Sequence, residues 1–138
     1  MSEIQNSAAT LLGKGFAAHR AGNDSKARQI YEKCIARKFQ FPELYQNYGA
    51  LLRAQGQHDR ALQIYELGAK AYPDHPGILA NQSNLYLETD PLRSLSGHLR
   101  ALNLSPHILE SWLTVITIAK DHGAESWACD LLRQATKY

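Results

Sequence analysis

The sequence predicts an all-α protein built of about four helix-turn-helix repeats, and three observations support this fold class. First, the chain repeats itself at an interval of 34 residues, which is the spacing of Ala27 and Ala61. Second, apolar residues in the repeated segments recur three and four positions apart, as on one face of a helix and not of a strand. Third, glycines such as Gly22 and Gly56 follow helical runs, and prolines separate the repeats.

Length and composition agree with a globular domain. The chain has 138 residues, so we predict a single domain over 1–138. Hydrophobic residues make up 44% and charged residues 20%, which is sufficient for a buried core. The net charge of +2 is too small for a protein that must offset a phosphate backbone, and we therefore expect no nucleic-acid partner.

The ends and cysteines of the chain point to a reducing compartment. Cys34 and Cys129 are too few and too far apart for a disulfide framework or a metal cluster. The first residues lack the basic and apolar regions of a signal peptide, and no apolar run reaches the roughly 20 residues of a membrane span. We expect a cytoplasmic protein without a membrane partner.

Two matching segments identify the repeat. Residues 24–33, DSKARQIYEK, align with residues 58–67, HDRALQIYEL, and both keep alanine and tyrosine at the same places. With its period of 34 and its Tyr, Gly, Ala and Pro slots, the chain resembles the tetratricopeptide repeat family from Ala8 to Tyr138. The resemblance implies a right-handed αα-superhelix. The repeats of this chain are also similar to those of bacterial proteins related to O-linked N-acetylglucosamine transferase.

The repeats differ in how well they keep the signature. The first, 8–41, is degenerate, with Lys14 where Leu is usual and Phe39 where the closing Pro would stand. The second, 42–75, is the best copy. The third, 76–108, keeps register only with one residue deleted near Asp90, so we predict a distorted turn. The fourth, 109–138, ends where the closing segment would begin. Small residues at one slot should allow close helix packing: Ala27, Ala61 and Ala128.

The resemblance implies a concave peptide groove lined by the first helix of each repeat. The side chains assigned to this groove are Phe16, His19, Arg20, Gln46, Asn47, Arg53, Asn81, Asn84, Glu88, Thr117 and Lys120. Asn47 and Asn81 are 34 residues apart and could form a ladder of amides that holds a peptide backbone, similar to the asparagine ladder of those transferases. The alternative, that these amides only bridge helices or face water, stays open.

Chemistry beyond binding is not indicated. The six histidines form no i, i+3 or i, i+4 pair that would place two metal ligands on one helical face, and we interpret them as surface residues. Cys34 occupies a slot for a small packing residue, which favours a buried inert thiol. We predict no enzyme activity, no catalytic residue, no metal and no cofactor. The carboxylate clamp of chaperone-binding repeats is excluded, because Leu12 and Phe16 stand where Lys and Asn are required.

Three functions fit this fold, because the fold alone does not determine function, which depends on the sites that the fold carries. The first is a non-catalytic module that binds a peptide or partner protein in the groove. The second is the N-terminal targeting domain of a larger bacterial glycosyltransferase or sulfotransferase, and the third is a self-assembling structural protein. The last helix should leave Trp127, Leu131 and Tyr138 uncovered, which predicts either a homodimer through the fourth repeat or a missing C-terminal domain.

Overall fold

The computed structural model describes residues 2–137, and in this range it consists of α-helices and turns without a strand. The all-α prediction is confirmed. The helices are α1 (Glu3–Arg20), α2 (Asp24–Ala36), α3 (Pro42–Ala54), α4 (His58–Ala71), α5 (Pro76–Asn84), α6 (Pro91–Leu104), α7 (Leu109–Asp121) and α8 (Glu125–Ala135).

The chain divides into two compact units. Met1–Ala71 contains α1 to α4, and Tyr72–Tyr138 contains α5 to α8. In the first unit α1 packs on α2, α3 packs on α4, and α3 also contacts both helices of the first pair. In the second unit α5 packs on α6, α6 on α7, and α7 on α8. Each unit thus holds two helical hairpins, and the single domain over 1–138 stays a prediction.

Glycine closes three of the four hairpins in the way the sequence predicts. Gly22, Gly56 and Gly123 have φ angles of 75°, 74° and 72°, a left-handed conformation that side chains with a Cβ rarely adopt. After α1, the Gly22 N–H donates to His19 O at 3.0 Å and the next N–H donates to Ala18 O at 2.9 Å. This pair of bonds is the Schellman motif, and it satisfies carbonyls that the helix end leaves open.

Lys38 takes the same role after α2 without being a glycine. Its N–H donates to Ile35 O at 2.9 Å, and the Phe39 N–H donates to Cys34 O at 3.0 Å. Lys38 therefore occupies the glycine position of a Schellman motif with a φ of 57°. The left-handed backbone costs about 1 to 2 kcal/mol for a residue with a Cβ.

The third hairpin departs from the pattern, and the predicted distortion is confirmed. Helix α5 ends at Asn84, and the following N–H groups of Leu85, Tyr86 and Leu87 donate to carbonyls three residues earlier. A turn without glycine then leads to Asp90, whose side chain accepts from the Arg93 N–H at 3.1 Å and caps α6. Pro91 stands at the first position of α6, where its missing N–H costs no hydrogen bond.

Each unit has its own core. In the first, the buried tyrosines Tyr31 and Tyr48 lie with ring centroids 5.7 Å apart and join the α1–α2 hairpin to α3. In the second, Trp112 and Val115 of α7 pack with Ala128 and Leu131 of α8. Ala27, Ala61 and Ala128 are all buried, as close packing of the two helices in a hairpin requires.

Candidate protein-binding surfaces

A concave pocket in the first unit brings together four of the residues predicted to bind a peptide. Phe16, His19 and Arg20 come from α1, and Asn47 comes from α3. The pocket has a volume of 340 Å³. It offers an aromatic ring, an imidazole, a guanidinium and an amide within one concavity, which is a combination suited to peptide side chains and backbone.

Tyr31 fixes the aromatic side of this pocket. Its ring centroid lies 6.1 Å from that of Phe16, and its hydroxyl oxygen lies 3.1 Å from His19 Nδ1. Burial raises the pKa of Tyr31 to about 12, so its hydroxyl keeps the proton and can donate it to Nδ1. When the hydroxyl donates to Nδ1, the ring hydrogen of His19 is on Nε2, where it can be donated to a ligand.

Helix α3 holds the amide side. Asn47 Nδ2 donates to the Glu43 carbonyl oxygen of its own helix at 2.8 Å, which orients the amide and leaves Oδ1 to accept a hydrogen bond from a ligand. Gln46 is half-buried and Arg53 is exposed on the same helix. Arg53 lies about 1.7 turns beyond Asn47 and is not among the residues that line the pocket.

The predicted groove residues of the second unit lie in different local environments. Asn81 is half-buried on α5, whereas Glu88 lies in the turn after α5 and not on a helix as predicted, because α5 ends at Asn84. Thr117 is exposed and donates its hydroxyl to the Leu113 carbonyl oxygen at 2.8 Å. Asn47 and Asn81 belong to different units, so their ladder stays a prediction.

Asn84 serves an internal network and not an open groove. Its Oδ1 lies 3.1 Å from His98 Nε2, and its Nδ2 donates to Glu110 Oε1 at 3.5 Å. His98 Nδ1 lies 2.9 Å from the Ser111 hydroxyl. Because an amide oxygen only accepts, Nε2 carries the imidazole hydrogen and the Ser111 hydroxyl donates to Nδ1. Both ring nitrogens of the neutral histidine are thereby paired.

His98 is the residue that sequence reasoning placed wrongly. It was predicted to lie on the surface, but its exposed fraction is 0%. Burial lowers the pKa of His98, and the carboxylate of Glu110 opposes this shift. The signal was present in the repeat register, since the deletion near Asp90 puts His98 in the slot that Tyr31 and Tyr65 occupy in the first two repeats.

The fourth hairpin carries an apolar surface, but its membership differs from the prediction. Leu131 is only 4% exposed, because it faces Trp112 and Val115 in the core, so it is not part of an open surface. Its neighbour Leu132 is 53% exposed, and Trp127 is also exposed. Tyr138 lies outside the described residues. The correction follows from helix geometry, since adjacent residues point about 100° apart.

A second concavity lies between α7 and α8. Its lining combines the apolar side chains of Ile116, Ala128 and Leu132 with the charged Lys120 and Glu125 and the exposed Cys129. The volume is 300 Å³. Lys120, which was predicted to line a peptide groove, therefore belongs to this surface of the last hairpin.

Three further features were considered for the described part of the chain: a reactive thiol, a metal site and a membrane-spanning helix. Cys34 is buried, and its burial raises the pKa of the thiol, which disfavours the reactive thiolate. Residues 2–137 contain no cluster of three His, Cys, Asp or Glu side chains suited to a metal ion. None of the helices in this range combines the length and apolar character that crossing a bilayer demands.

Helical hairpins that repeat along the chain define a helical-repeat protein, and the first unit carries a ligand-sized concavity. Residues 42–85 match the tetratricopeptide repeat family, and this match falls where the sequence signature is strongest. No curated protein matches the sequence.

Solved structures show that the fold extends over nearly the whole chain. MamA from Desulfovibrio magneticus RS-1 has a TM-score of 0.78 and 16% identity over 94% of this chain and 74% of its own. PcrH from Pseudomonas aeruginosa has a TM-score of 0.69 and 20% identity, covering 99% and 95%. YrrB, described as a tetratricopeptide repeat protein with an unusual peptide-binding site, has a TM-score of 0.74 and 14% identity, covering 98% and 70%.

These likenesses establish the tetratricopeptide-repeat fold, a fold typical of protein interaction modules. They give no support to the alternative of a glycosyltransferase or sulfotransferase targeting domain. The similarity to proteins related to O-linked N-acetylglucosamine transferase also stays a prediction.

Proposed function

We propose that this chain is a non-catalytic protein-binding module that holds an extended segment of a partner protein in the pocket between α1 and α3. The observation that carries the proposal is the convergence of Phe16, His19, Arg20 and Asn47 on one concavity. Three of these residues lie on a single face of α1, at the spacing of three to four residues that one helical turn produces.

The chemistry of the pocket suits a peptide that combines an apolar and an acidic side chain. The Phe16 ring offers an apolar surface, while the exposed Arg20 guanidinium can donate two parallel hydrogen bonds to a carboxylate. Asn47 can accept from a peptide N–H through Oδ1. Because the amide contacts backbone atoms, the module would tolerate sequence variation away from the two anchoring side chains.

The proposal of a binding function without catalysis is supported by what surrounds the pocket. The thiol of Cys34 is buried, and the hydroxyl of Tyr31 is engaged with His19, so neither is presented as a nucleophile. The fold agrees with a binding role, since proteins of this kind generally act by binding.

We propose a bacterial cytoplasmic setting for this chain. The free thiols of Cys34 and Cys129 favour a reducing compartment such as the cytoplasm.

The experiment selects binding peptides from a random displayed library on the wild-type chain and measures their Kd by fluorescence anisotropy. Phe16→Ala and Asn47→Ala should each weaken binding about two- to tenfold, the value of one lost contact of about 0.5 to 1.5 kcal/mol. Asn103→Ala is the matched control, because Asn103 is an exposed asparagine on α6 of the other unit. Helicity should be unchanged in all three variants.

Adding Asn81→Ala to Asn47→Ala tests the ladder. A further loss of affinity in the double variant would place both amides on one peptide. Unchanged affinity in both Phe16→Ala and Asn47→Ala would refute the pocket as the binding site, and a library without any binder would refute the proposed function.

A further inference from the structure

The first unit carries a further concavity, which shares no lining residue with the pocket between α1 and α3. It has a volume of 420 Å³ and is lined by α2, α3, α4 and the turn that joins α2 to α3. Its apolar lining includes Ile35 of α2, Phe39 of the turn and Leu67 of α4. We call it the α2–α4 concavity. It lies between elements of both hairpins of the unit.

The apolar lining is incompletely covered by the chain itself. Leu67 is 48% exposed, and Ile35 and Phe39 are half-buried. A ligand that contacts these side chains would remove apolar surface from water, which favours binding.

The charged residues of the α2–α4 concavity have one sign. They are Lys38 and Lys70, both exposed, and no acidic side chain is among the lining residues. The ion pairs of residues 2–137 involve neither lysine, although Glu66 precedes Lys70 by one turn of α4. Both ammonium groups are therefore available to an anionic partner.

Lys38 occupies this position at a cost in stability. Its φ angle of 57° is one that glycine adopts without strain. The end of α2 gains from a nearby basic residue through the helix dipole, but Arg37 already supplies that charge. Backbone strain that persists in a folded chain is typical of functional positions. The strained residue is here one of the two cations of the concavity.

We propose that the α2–α4 concavity binds an acidic segment of a partner protein. A large apolar side chain of the segment would contact Phe39 and Leu67, and its carboxylates would pair with Lys38 and Lys70. The lining carries two unpaired cations and no anion, which is the charge complement of such a segment. The proposal goes beyond the pocket between α1 and α3 and does not depend on it.

A protein segment fits this surface better than a lipid membrane does. Recognition of anionic lipids by charge uses clusters of about four to eight Lys or Arg residues, whereas two lysines line the concavity. The apolar residues are also arranged around a hollow, which receives a protruding side chain.

The experiment selects peptides from a random displayed library on the full chain carrying Phe16→Ala and Asn47→Ala, so that the first pocket is impaired. The selected peptides should be enriched in Asp and Glu and should contain a large apolar residue. One of them, labelled with fluorescein, is then the probe for Kd measurements by anisotropy on the wild-type chain and its variants.

Lys38→Gln and Lys70→Gln should each weaken binding of this probe about two- to fivefold, the value of an exposed ion pair. The double variant should weaken it by about the product of the two effects, and added salt should weaken wild-type binding more than that of the double variant. Lys26→Gln is the matched control, because Lys26 is an exposed lysine of α2 outside the lining, and it should bind like the wild type.

The apolar contact is tested separately. Leu67→Ala should weaken binding about three- to tenfold, since about half of this side chain remains for a ligand to cover. Leu92→Ala should have no effect, because Leu92 is exposed on α6 of the other unit.

Lys38→Gly separates binding from folding. This variant should be more stable than the wild type in urea and yet bind the probe more weakly, an outcome that loss of structure cannot produce. A Lys38→Gly variant that binds as tightly as the wild type would overturn the proposal. So would a selection that yields no acidic peptide, or unchanged affinity in the double lysine variant. Sedimentation with vesicles of phosphatidylserine and phosphatidylcholine should leave the chain in the supernatant, and vesicle binding that requires both lysines would assign the surface to lipid instead.

Discussion

Replacing Gly97 with alanine should destabilise the protein, although alanine is the better helix former. Gly97 lies within α6, and a Cβ at this position would lie 2.9 Å from the Ser83 Cβ and closer still to its hydroxyl oxygen. The Ser83 hydroxyl donates to the Leu79 carbonyl oxygen at 2.7 Å, which fixes it in this place. In the first hairpin the small residue is on the other helix, where Gly15 lies opposite Ile30.

The magnitude follows from two opposing contributions. Gly to Ala in a helix interior gains about 0.8 to 1 kcal/mol, and overpacking of a close helix contact costs about 1 to 3 kcal/mol. Gly97→Ala alone should therefore lower the free energy of unfolding by up to about 2 kcal/mol. In a Ser83→Gly background the overlap disappears, and the same substitution should instead raise it by about 1 kcal/mol.

The assay is a double-mutant cycle by urea denaturation, with Ser83→Gly, Gly97→Ala and the double variant compared with the wild type. The coupling free energy should equal the overpacking contribution of about 1 to 3 kcal/mol. Additive effects within about 0.5 kcal/mol would refute the reasoning, because they would show that the two positions do not contact each other.

Three further predictions concern single positions. Burial lowers the pKa of His98 below its ordinary value of 6.5, so the unfolded chain binds more protons at this residue than the folded chain does. The contribution of His98 to stability should therefore be full above pH 6.5 and should fall as the pH drops below it. His98→Gln should reduce this pH dependence, as measured by urea titrations at a series of pH values. Lys38→Gly should raise the free energy of unfolding by about 0.5 to 1 kcal/mol by relieving the left-handed backbone, whereas Lys38→Ala should give no gain. Ala61→Leu should lower the free energy of unfolding by about 1 to 3 kcal/mol, because Ala61 is fully buried between helices, and an unchanged melting temperature would contradict this.

The sequence was sufficient to predict that the chain is helical and where three of its helices end. Local signals decide these features: apolar residues three and four apart, glycine at the left-handed position after a helix, and proline at a helix start. Gly22, Gly56 and Gly123 all have the conformation that their position predicted. The irregular third hairpin was also readable, because a missing residue near Asp90 disturbs the 34-residue register.

The binding surfaces were only partly predictable. Phe16, His19, Arg20 and Asn47 were chosen as groove residues from repeat positions, and the structure brings them into one pocket. Asn84 was chosen by the same argument but pairs with His98, and Glu88 lies beyond the helix that was expected to carry it. Repeat position failed in the irregular third hairpin, and it also failed for Lys120, which lies in the concavity between α7 and α8 although that hairpin is regular.

Only the tertiary structure decided which apolar residues are covered. Leu131 and Leu132 are adjacent and chemically identical, yet the first is buried in the core of the second unit and the second is half exposed. The same holds for His98, whose burial depends on contacts with Asn84 and Ser111 that lie 14 and 13 residues away. Helical periodicity depends on neighbours three and four positions apart, whereas burial depends on which helices pack together, and that information resides in contacts between elements.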